Sequence, residues 1–321
     1  MRRIDKGDAD MIAIMREMSR EMRQYYEALF SDQLLSIDKH LTVFYPEVEI
    51  LISEPNVTSE FLMHFPNLKL IFTLSAGVNK MPFDYLKANQ VILTNSRGLH
   101  AEHMSEHALA IILAQTRQIN LAVKNQLRHH WAHNEGEFTT VHNKTLCVVG
   151  AGTIGHALAR KAIAMGMQVT GVSRTGRQQE NYQIMYPTDK LIEAVATADV
   201  VVLLLPLTPK TYHLFDHHIF SAMKKGTTLI NLSRGGTVDE VALIDALNNG
   251  QVGFAGLDVF KDEPLGSESV FWEMPNVLIT PHVAGDISDY LERALNIFAN
   301  VLADFRNGTE VRNRVDLDLG Y

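Results

Sequence analysis

Residues Thr145–Val149 form a short run rich in β-favouring side chains, and Gly150-Ala151-Gly152-Thr153-Ile154-Gly155 follows without a break. A helical stretch then runs to Met165, and a second apolar run occupies Gln168–Val172. A G-x-G-x-x-G hexad alone is a weak signal. Between a strand and a helix, with a second strand at the right distance, it specifies a parallel βαβ unit built to hold a dinucleotide. Gly150 permits the tight turn, Gly152 lets the backbone approach a pyrophosphate, and Gly155 lets the helix pack on the sheet. The helix N-terminus at Thr153 and Ile154 then offers N–H groups and a positive dipole end to phosphate.

The end of the second strand bears on which dinucleotide. An NAD site usually carries Asp or Glu there, accepting hydrogen bonds from the ribose 2′-hydroxyl. This chain has Ser173-Arg174-Thr175, and no acid precedes Glu180. A guanidinium binds a 2′-phosphate through its fork, and hydroxyls donate to it. The expectation is NADP(H) as preferred cofactor, with NAD(H) still possible.

Around this unit the chain alternates short apolar runs with helical patterns, the signature of an α/β fold with parallel sheets. Further strands are expected at Asp199–Leu204, Thr227–Leu232, Val252–Val259 and Asn276–Thr280, making six with the first two. Thr237-Val-Asp-Glu240 has the pattern of a capping box. Earlier in the chain, Met11–Met15 reads as a strand or a helix start, Arg16–Phe30 as a helix, and Glu49–Ile52 and Leu70–Leu74 as buried strands. The Met11, Met15, Met18, Met22 series has helical spacing and reads as core. Ala101–Gln126 contains no Gly or Pro and reads as one long, largely buried helix. A second long helix is expected over Ile287–Phe305. Two flanking helices imply an inserted domain, 98–286, within an outer domain made of 1–97 and 287–321.

Composition narrows the function. The chain has 321 residues, which suits two domains. Its 29 Lys and Arg against 37 Asp and Glu leave a net charge of 29 − 37 = −8. The basic start Met1-Arg2-Arg3 is followed at once by Asp5, Asp8 and Asp10, and no basic patch points to nucleic acid. No apolar run approaches a signal-peptide core or a membrane span. Cys147 is the one cysteine and lies within a strand, so a buried, inert thiol is expected. A cytoplasmic location is the expectation.

Three later segments carry polar groups at strand ends, where open α/β sheets place their ligands. They are Asn231-Leu-Ser-Arg234-Gly-Gly236, Gly256-Leu-Asp258-Val-Phe-Lys-Asp-Glu263-Pro264 and Thr280-Pro-His282-Val-Ala-Gly285. With the glycine loop upstream, this ordered set resembles the D-isomer-specific 2-hydroxyacid dehydrogenase family, and within it the glyoxylate/hydroxypyruvate reductase type. The resemblance is most specific from about Ser96 to Gly285. In the first hundred residues only the turn Leu74-Ser-Ala-Gly-Val78 is distinctive.

The resemblance implies an α/β protein of two Rossmann-like domains with parallel sheets. The cofactor domain is inserted into a discontinuous, flavodoxin-like substrate domain, the active site lies in the cleft, and the enzyme is a homodimer. It implies hydride transfer between the nicotinamide and a small 2-keto or 2-hydroxy acid. Arg234 would bind the substrate carboxylate and keto oxygen, as a planar fork suits two oxygens. His282 would be the general acid in reduction and the base in oxidation. Glu263 would hold the other imidazole nitrogen, and a carboxylate there favours the protonated ring. Backbone N–H groups of Ala76 and Gly77 would take the substrate carboxylate, Asp258 the nicotinamide carboxamide. Leu232, Ser233 and Met104 would lie along the nicotinamide, Pro206 and Thr211 along the adenosine, and Ala284 and Gly285 would also bind cofactor. Phe44, Tyr45 and the residues after Gly77 are candidates for the substrate side-chain pocket.

Other signals weigh less. His103-Met-Ser-Glu-His107 matches a zinc-protease pattern, and His100 adds a further nitrogen, yet no third ligand lies beyond the reach of one helix. No metal is expected, although one of these histidines could touch substrate. His129, His130 and His133 read as a solvated connector. Two other functions compete: an NAD-dependent dehydrogenase of a larger D-2-hydroxy acid, which Arg174 argues against, and a nicotinamide-sensing binding protein, which the intact Arg234, Glu263 and His282 set argues against.

Overall fold

A computed structural model describes residues 11–133 and 135–321. The basic start and the Asp5, Asp8 and Asp10 cluster lie outside the described residues. The chain divides into two compact units, Met1–Leu99 with Ser288–Tyr321, and His100–Ile287.

The first unit holds β1 (Met11–Ile14), β2 (Gln33–Ser36), β3 (Val48–Ser53), β4 (Leu70–Thr73) and β5 (Ile92–Asn95). They form a five-stranded sheet in the order β2-β1-β3-β4-β5 with every pair parallel. This is the flavodoxin-like doubly wound order, whose switch point falls between β1 and β3. Ile50, Leu51 and Ile52 are fully buried, as expected of a parallel strand covered on both faces. The chain returns to this unit through the helix Tyr290–Arg306. The Tyr26 hydroxyl donates to Glu292 O (3.0 Å), Phe30 meets Phe298 edge-on at 5.1 Å, and Arg306 donates to Phe30 O and pairs with Asp32.

Several expectations change here. Met11–Ile14 is a strand, and the helix begins at Arg20, because the Ser19 side chain accepts from Met22 N and caps it there. The four methionines therefore span a strand, a connection and a helix, and none is fully buried. Phe44 and Tyr45 are not pocket residues of the turn at Ser75. Tyr45 N donates to His64 O, and Pro46 O accepts from Asn67, so both sit where β3 and β4 begin. The Ser75-Ala76-Gly77 turn lies at the opposite end of the sheet, after β4.

The second unit holds β6 (Thr145–Val149), β7 (Gln168–Ser173), β8 (Ile184–Pro187), β9 (Val200–Leu203), β10 (Thr227–Asn231), β11 (Val252–Leu257) and β12 (Val277–Ile279). They pair in parallel as β12-β11-β10-β9-β6-β7-β8. Six strands were expected; the sheet has seven. The extra one, β8, is a short edge strand ending in Pro187, which cannot donate to a ladder. Alternating residues feed two cores, Cys147 and Val149 on one face, Leu146 and Val148 on the other.

The long helix expected over 101–126 is broken. Ala101–Thr116 ends at Arg117, Gln118 takes a left-handed φ of 54°, and a second helix covers Ile119–Leu127. Thr116 donates its hydroxyl back to Ile112 O, and Gln118 donates its amide to Gln115 O, so side chains compete with the helix ladder. The capping box is also not realised. Asp239 caps the helix Glu240–Asn248 by accepting from Val241 and Ala242 N, while Thr237 is buried and donates to Arg234 O. Cys147 is fully buried, and burial pushes its thiol up to about 12. Among the described residues no helix is long and apolar enough to cross a membrane.

Candidate active site

All of β6, β10, β11 and β12 end on one edge of the larger sheet, and each hands its chain to a polar segment. After β6, Gly150 has φ +105°, and a Cβ there would meet the Leu204 backbone at 2.6 Å. A Cβ on Gly155 would meet Gly150 O at 2.7 Å, so close packing of helix on strand requires glycine. Gly152 differs: nothing lies within 4 Å of its Cβ position. It is the N-cap of Thr153–Ala164, whose first N–H groups have no partner within the helix. Open space beside those donors fits a pyrophosphate.

The loop after β7 leans back on this turn. Gln179 donates to Ala151 O at 3.2 Å, and the Ser173 hydroxyl accepts from Gly176 N at 3.2 Å. Arg174 and Thr175 are exposed on it, as is Arg177, a second cation that the sequence reading passed over. After β9, Thr211 donates to Pro206 O at 2.7 Å and accepts from Thr208 N, which fixes that loop.

At the end of β10, Asn231 organises the Arg234 segment. Its side-chain oxygen accepts from Ser233 N (3.0 Å) and the Ser233 hydroxyl (2.7 Å), and its amide donates to Arg234 O (3.2 Å). Leu232 and Ser233 are buried. The Arg234 guanidinium donates to Ser233 O at 2.7 Å. Burial draws it below its ordinary pKa, while the Glu263 carboxylate pulls the other way. A half-buried cation of this kind attracts an anion strongly.

Asp258, at the end of β11, is 2% exposed. One carboxylate oxygen accepts from the Thr280 hydroxyl (2.5 Å) and Val283 N (3.0 Å), the other from Ala284 N (3.1 Å). Its carbonyl accepts from His282 N at 2.8 Å. Between these anchors His282 holds φ +55°, an unfavourable region for a residue with a Cβ. Strain of this kind persists where the surroundings over-determine it. Thr280 in turn accepts from His107 Nε2 at 3.1 Å, so His107, Thr280 and Asp258 form one chain of hydrogen bonds under the loop.

The outcome is a defined imidazole. His282 Nδ1 lies 2.7 Å from Glu263 Oε2, and the other Glu263 oxygen accepts from Phe260 N at 2.9 Å. An ionised carboxylate only accepts, so Nδ1 carries the proton toward Glu263 and Nε2 is left for another partner. The His282 side chain is 47% exposed, so that nitrogen is reachable.

His103 Nε2 donates to Gly285 O (3.0 Å), and His107 serves Thr280. His100 is buried, and its pKa falls to about 4, first through burial and then through the neighbouring His103 and Arg234 charges. Met104 packs on the core beneath. In the smaller unit, Gly77 N donates to Ser75 Oγ at 3.2 Å and Ala76 O accepts from Asn95. The Asn231 brace, the Thr280–His107 link and Arg177 escaped the sequence reading. Only the position of Asn231 and Thr280 at strand ends could have flagged them.

Thr280→Val keeps shape but strips Asp258 of a donor and His107 of an acceptor. Unsatisfied groups there should cost about 1–3 kcal/mol. A urea unfolding midpoint equal to the parent's would contradict that accounting.

Residues 109–284 match the family model for the D-isomer specific 2-hydroxyacid dehydrogenase NAD-binding domain. The chain is 32% identical over 288 residues to glyoxylate/hydroxypyruvate reductase B of Klebsiella pneumoniae, covering 88% of each. It is 34% identical over 251 residues to D-3-phosphoglycerate dehydrogenase of Mycobacterium bovis, covering 78% of this chain but 47% of that one. Among solved structures it is similar to the NADPH-dependent glyoxylate/hydroxypyruvate reductase of Sinorhizobium meliloti in complex with NADP and sulfate. The TM-score is 0.83 with 27% identity, over 97% of this chain and 100% of that one. The chain belongs to the D-isomer specific 2-hydroxyacid dehydrogenase family.

Proposed function

We propose that the protein reduces a small 2-keto acid of the glyoxylate or hydroxypyruvate kind, with NADPH preferred over NADH. The observation that carries this reading is the His282–Glu263 pair at 2.7 Å, set on the same sheet edge as the glycine loop and Arg234. Bound NADPH supplies the hydride. Gly150, Gly152, Thr153, Ile154 and Gly155 hold its pyrophosphate, and Ser173, Arg174 and Thr175 take its 2′-phosphate. Arg234 orients the substrate carboxylate and keto oxygen. His282 Nε2 delivers a proton to that oxygen, and Glu263 orients the ring by holding Nδ1 at 2.7 Å. Asp258 acts chiefly by holding the 280–284 loop.

The segment 98–286 is the cofactor domain in this reading. Residues 1–97 with 287–321 form the substrate domain, whose Ala76–Gly77 turn offers the Ala76 N–H to the carboxylate, Gly77 N being engaged by Ser75 Oγ. Exposed Ile119, Val123, Leu127, Trp131 and Phe138 give the cofactor domain an apolar surface suited to a homodimer. The enzyme is assigned to the cytoplasm. Its charge balance speaks against nucleic acid as a partner.

The test is oxidation of NADPH and NADH with glyoxylate, hydroxypyruvate and pyruvate. Arg174→Ala should weaken NADPH by about tenfold or more, as expected for a lost charged hydrogen bond, and NADH little. Equal losses for the two cofactors would remove Arg174 from 2′-phosphate recognition.

A further inference from the structure

The smaller sheet has its own ligand edge. Beyond the C-terminal ends of its strands the parallel ladder continues by single bonds: Ile37 N to Ile14 O (3.0 Å), Met15 N to Ile52 O (3.0 Å) and Leu74 N to Ser53 O (2.8 Å). These set Arg16, Glu54 and Ser75 on three adjacent strand ends. Arg16 and Glu54 flank the switch point between β1 and β3, the place where a doubly wound sheet receives ligands. Ser75 opens the Ala76–Gly77 turn one strand further on.

Arg16 and Glu54 are paired, Nε to Oε1, at 2.8 Å. Glu54 is 19% exposed and Arg16 56%. The carboxylate grips the guanidinium by its Nε, the nitrogen nearest the chain. The pair engages Nε, and the two terminal nitrogens of a guanidinium form a planar fork that takes a carboxylate by two parallel bonds. The helix Arg20–Phe30, capped by Ser19, starts on the same edge and adds a positive dipole end. Glu21 in its first turn already uses part of that field, so the argument rests on Arg16.

We propose that Arg16, held by Glu54, selects 2-keto acids whose substituent ends in a second carboxylate. The claim rests on the 2-keto acid reductase reading above, extends its substrate from glyoxylate and hydroxypyruvate to a longer keto acid, and keeps the first carboxylate at the Ala76 N–H of the turn after Ser75. Neighbouring strand ends are about 5 Å apart. A flexible arginine can reach across one or two such steps toward the far carboxylate of a five-carbon dicarboxylic keto acid. A surface ion pair with no ligand would contribute little and select nothing.

The test compares 2-ketoglutarate with its neutral near-isostere 2-ketohexanoate. The parent enzyme should favour the dicarboxylate in kcat/KM by about tenfold or more, the size of a charged hydrogen-bond pair. Arg16→Gln should bring the ratio near one, through KM, and Arg16→Lys should retain part of it. A parent ratio near or below one overturns the proposal, as does a ratio that survives Arg16→Gln. If neither these acids nor glyoxylate is turned over, the reductase reading fails instead. Calorimetric titration with the same two acids then decides on Arg16: tighter 2-ketoglutarate binding lost in Arg16→Gln supports it, and equal binding overturns it.

Discussion

Replacing His282 with alanine should lower kcat by about 10²–10⁴-fold, the usual contribution of a positioned general acid, while the NADPH dissociation constant stays within a small factor of the parent's. The glycine loop and the Arg174 loop follow β6 and β7, whereas His282 follows β12. Alanine at φ +55° carries backbone strain, so His282→Asn belongs in the same experiment, because asparagine tolerates the left-handed region. Both variants should bind cofactor and fail at turnover. A variant that turns over near the parent rate would remove His282 from proton transfer.

Gly235→Ala should be the most damaging substitution of a single hydrogen by a methyl group. The added Cβ would lie 1.9 Å from the Phe260 carbonyl carbon and 2.1 Å from its oxygen. These are backbone atoms, and Gly235 adjoins Arg234 while Phe260 is three residues from Glu263. Neither segment can move without displacing a site residue. The cost should be about 3 kcal/mol or more, at the upper end for overpacking, seen as a fall in the denaturation midpoint or loss of soluble protein. Gly152→Ala is the matched control, since no atom lies within 4 Å of its Cβ position, and its midpoint should stay close to the parent's. Equal midpoints for Gly235→Ala and the parent would show that the two segments are not packed as described.

Legibility in the sequence followed the strength of local rules. The β6–β7 unit was readable to within a residue because Gly150 is required by a positive φ and Gly155 by a backbone approach, while Gly152 leaves open space at the helix start. The central strands were readable because burial on both faces leaves continuous apolar runs. Edge strands were less so: β12 was read, but Gln33–Ser36, Ile92–Asn95 and Ile184–Pro187 are four residues each, and their pairing comes from neighbours rather than from pattern. The break at Gln118 had no Gly or Pro to announce it. Thr237-Val-Asp-Glu240 reads as a capping box, and the local bond from Thr237 to Arg234 O leaves the cap to Asp239.

The candidate site shows the same division. Arg234, Glu263 and His282 stood out because of their order and their neighbours Gly235, Pro264 and Pro281. The groups that hold them did not. Asp258 reads in sequence as a ligand contact, yet its carboxylate is occupied by Thr280, Val283 and Ala284, which is visible only once β11 and β12 lie side by side. His107 sits in a pattern that invites a metal, and its Nε2 instead meets Thr280. Phe44 and Tyr45 were misplaced because a sequence gives no indication of which end of a sheet a connection occupies.

The central claim is hydride transfer to the carbonyl carbon of a 2-keto acid with His282 as proton donor. The most direct measurement is to supply NADPH carrying deuterium at its transferable position with hydroxypyruvate, and to analyse the product. The expected product is a 2-hydroxy acid of D configuration bearing the label on C2, formed by the parent protein and not by His282→Ala. Unlabelled or L-configured product, or the same labelled product at the same rate from both proteins, would contradict it.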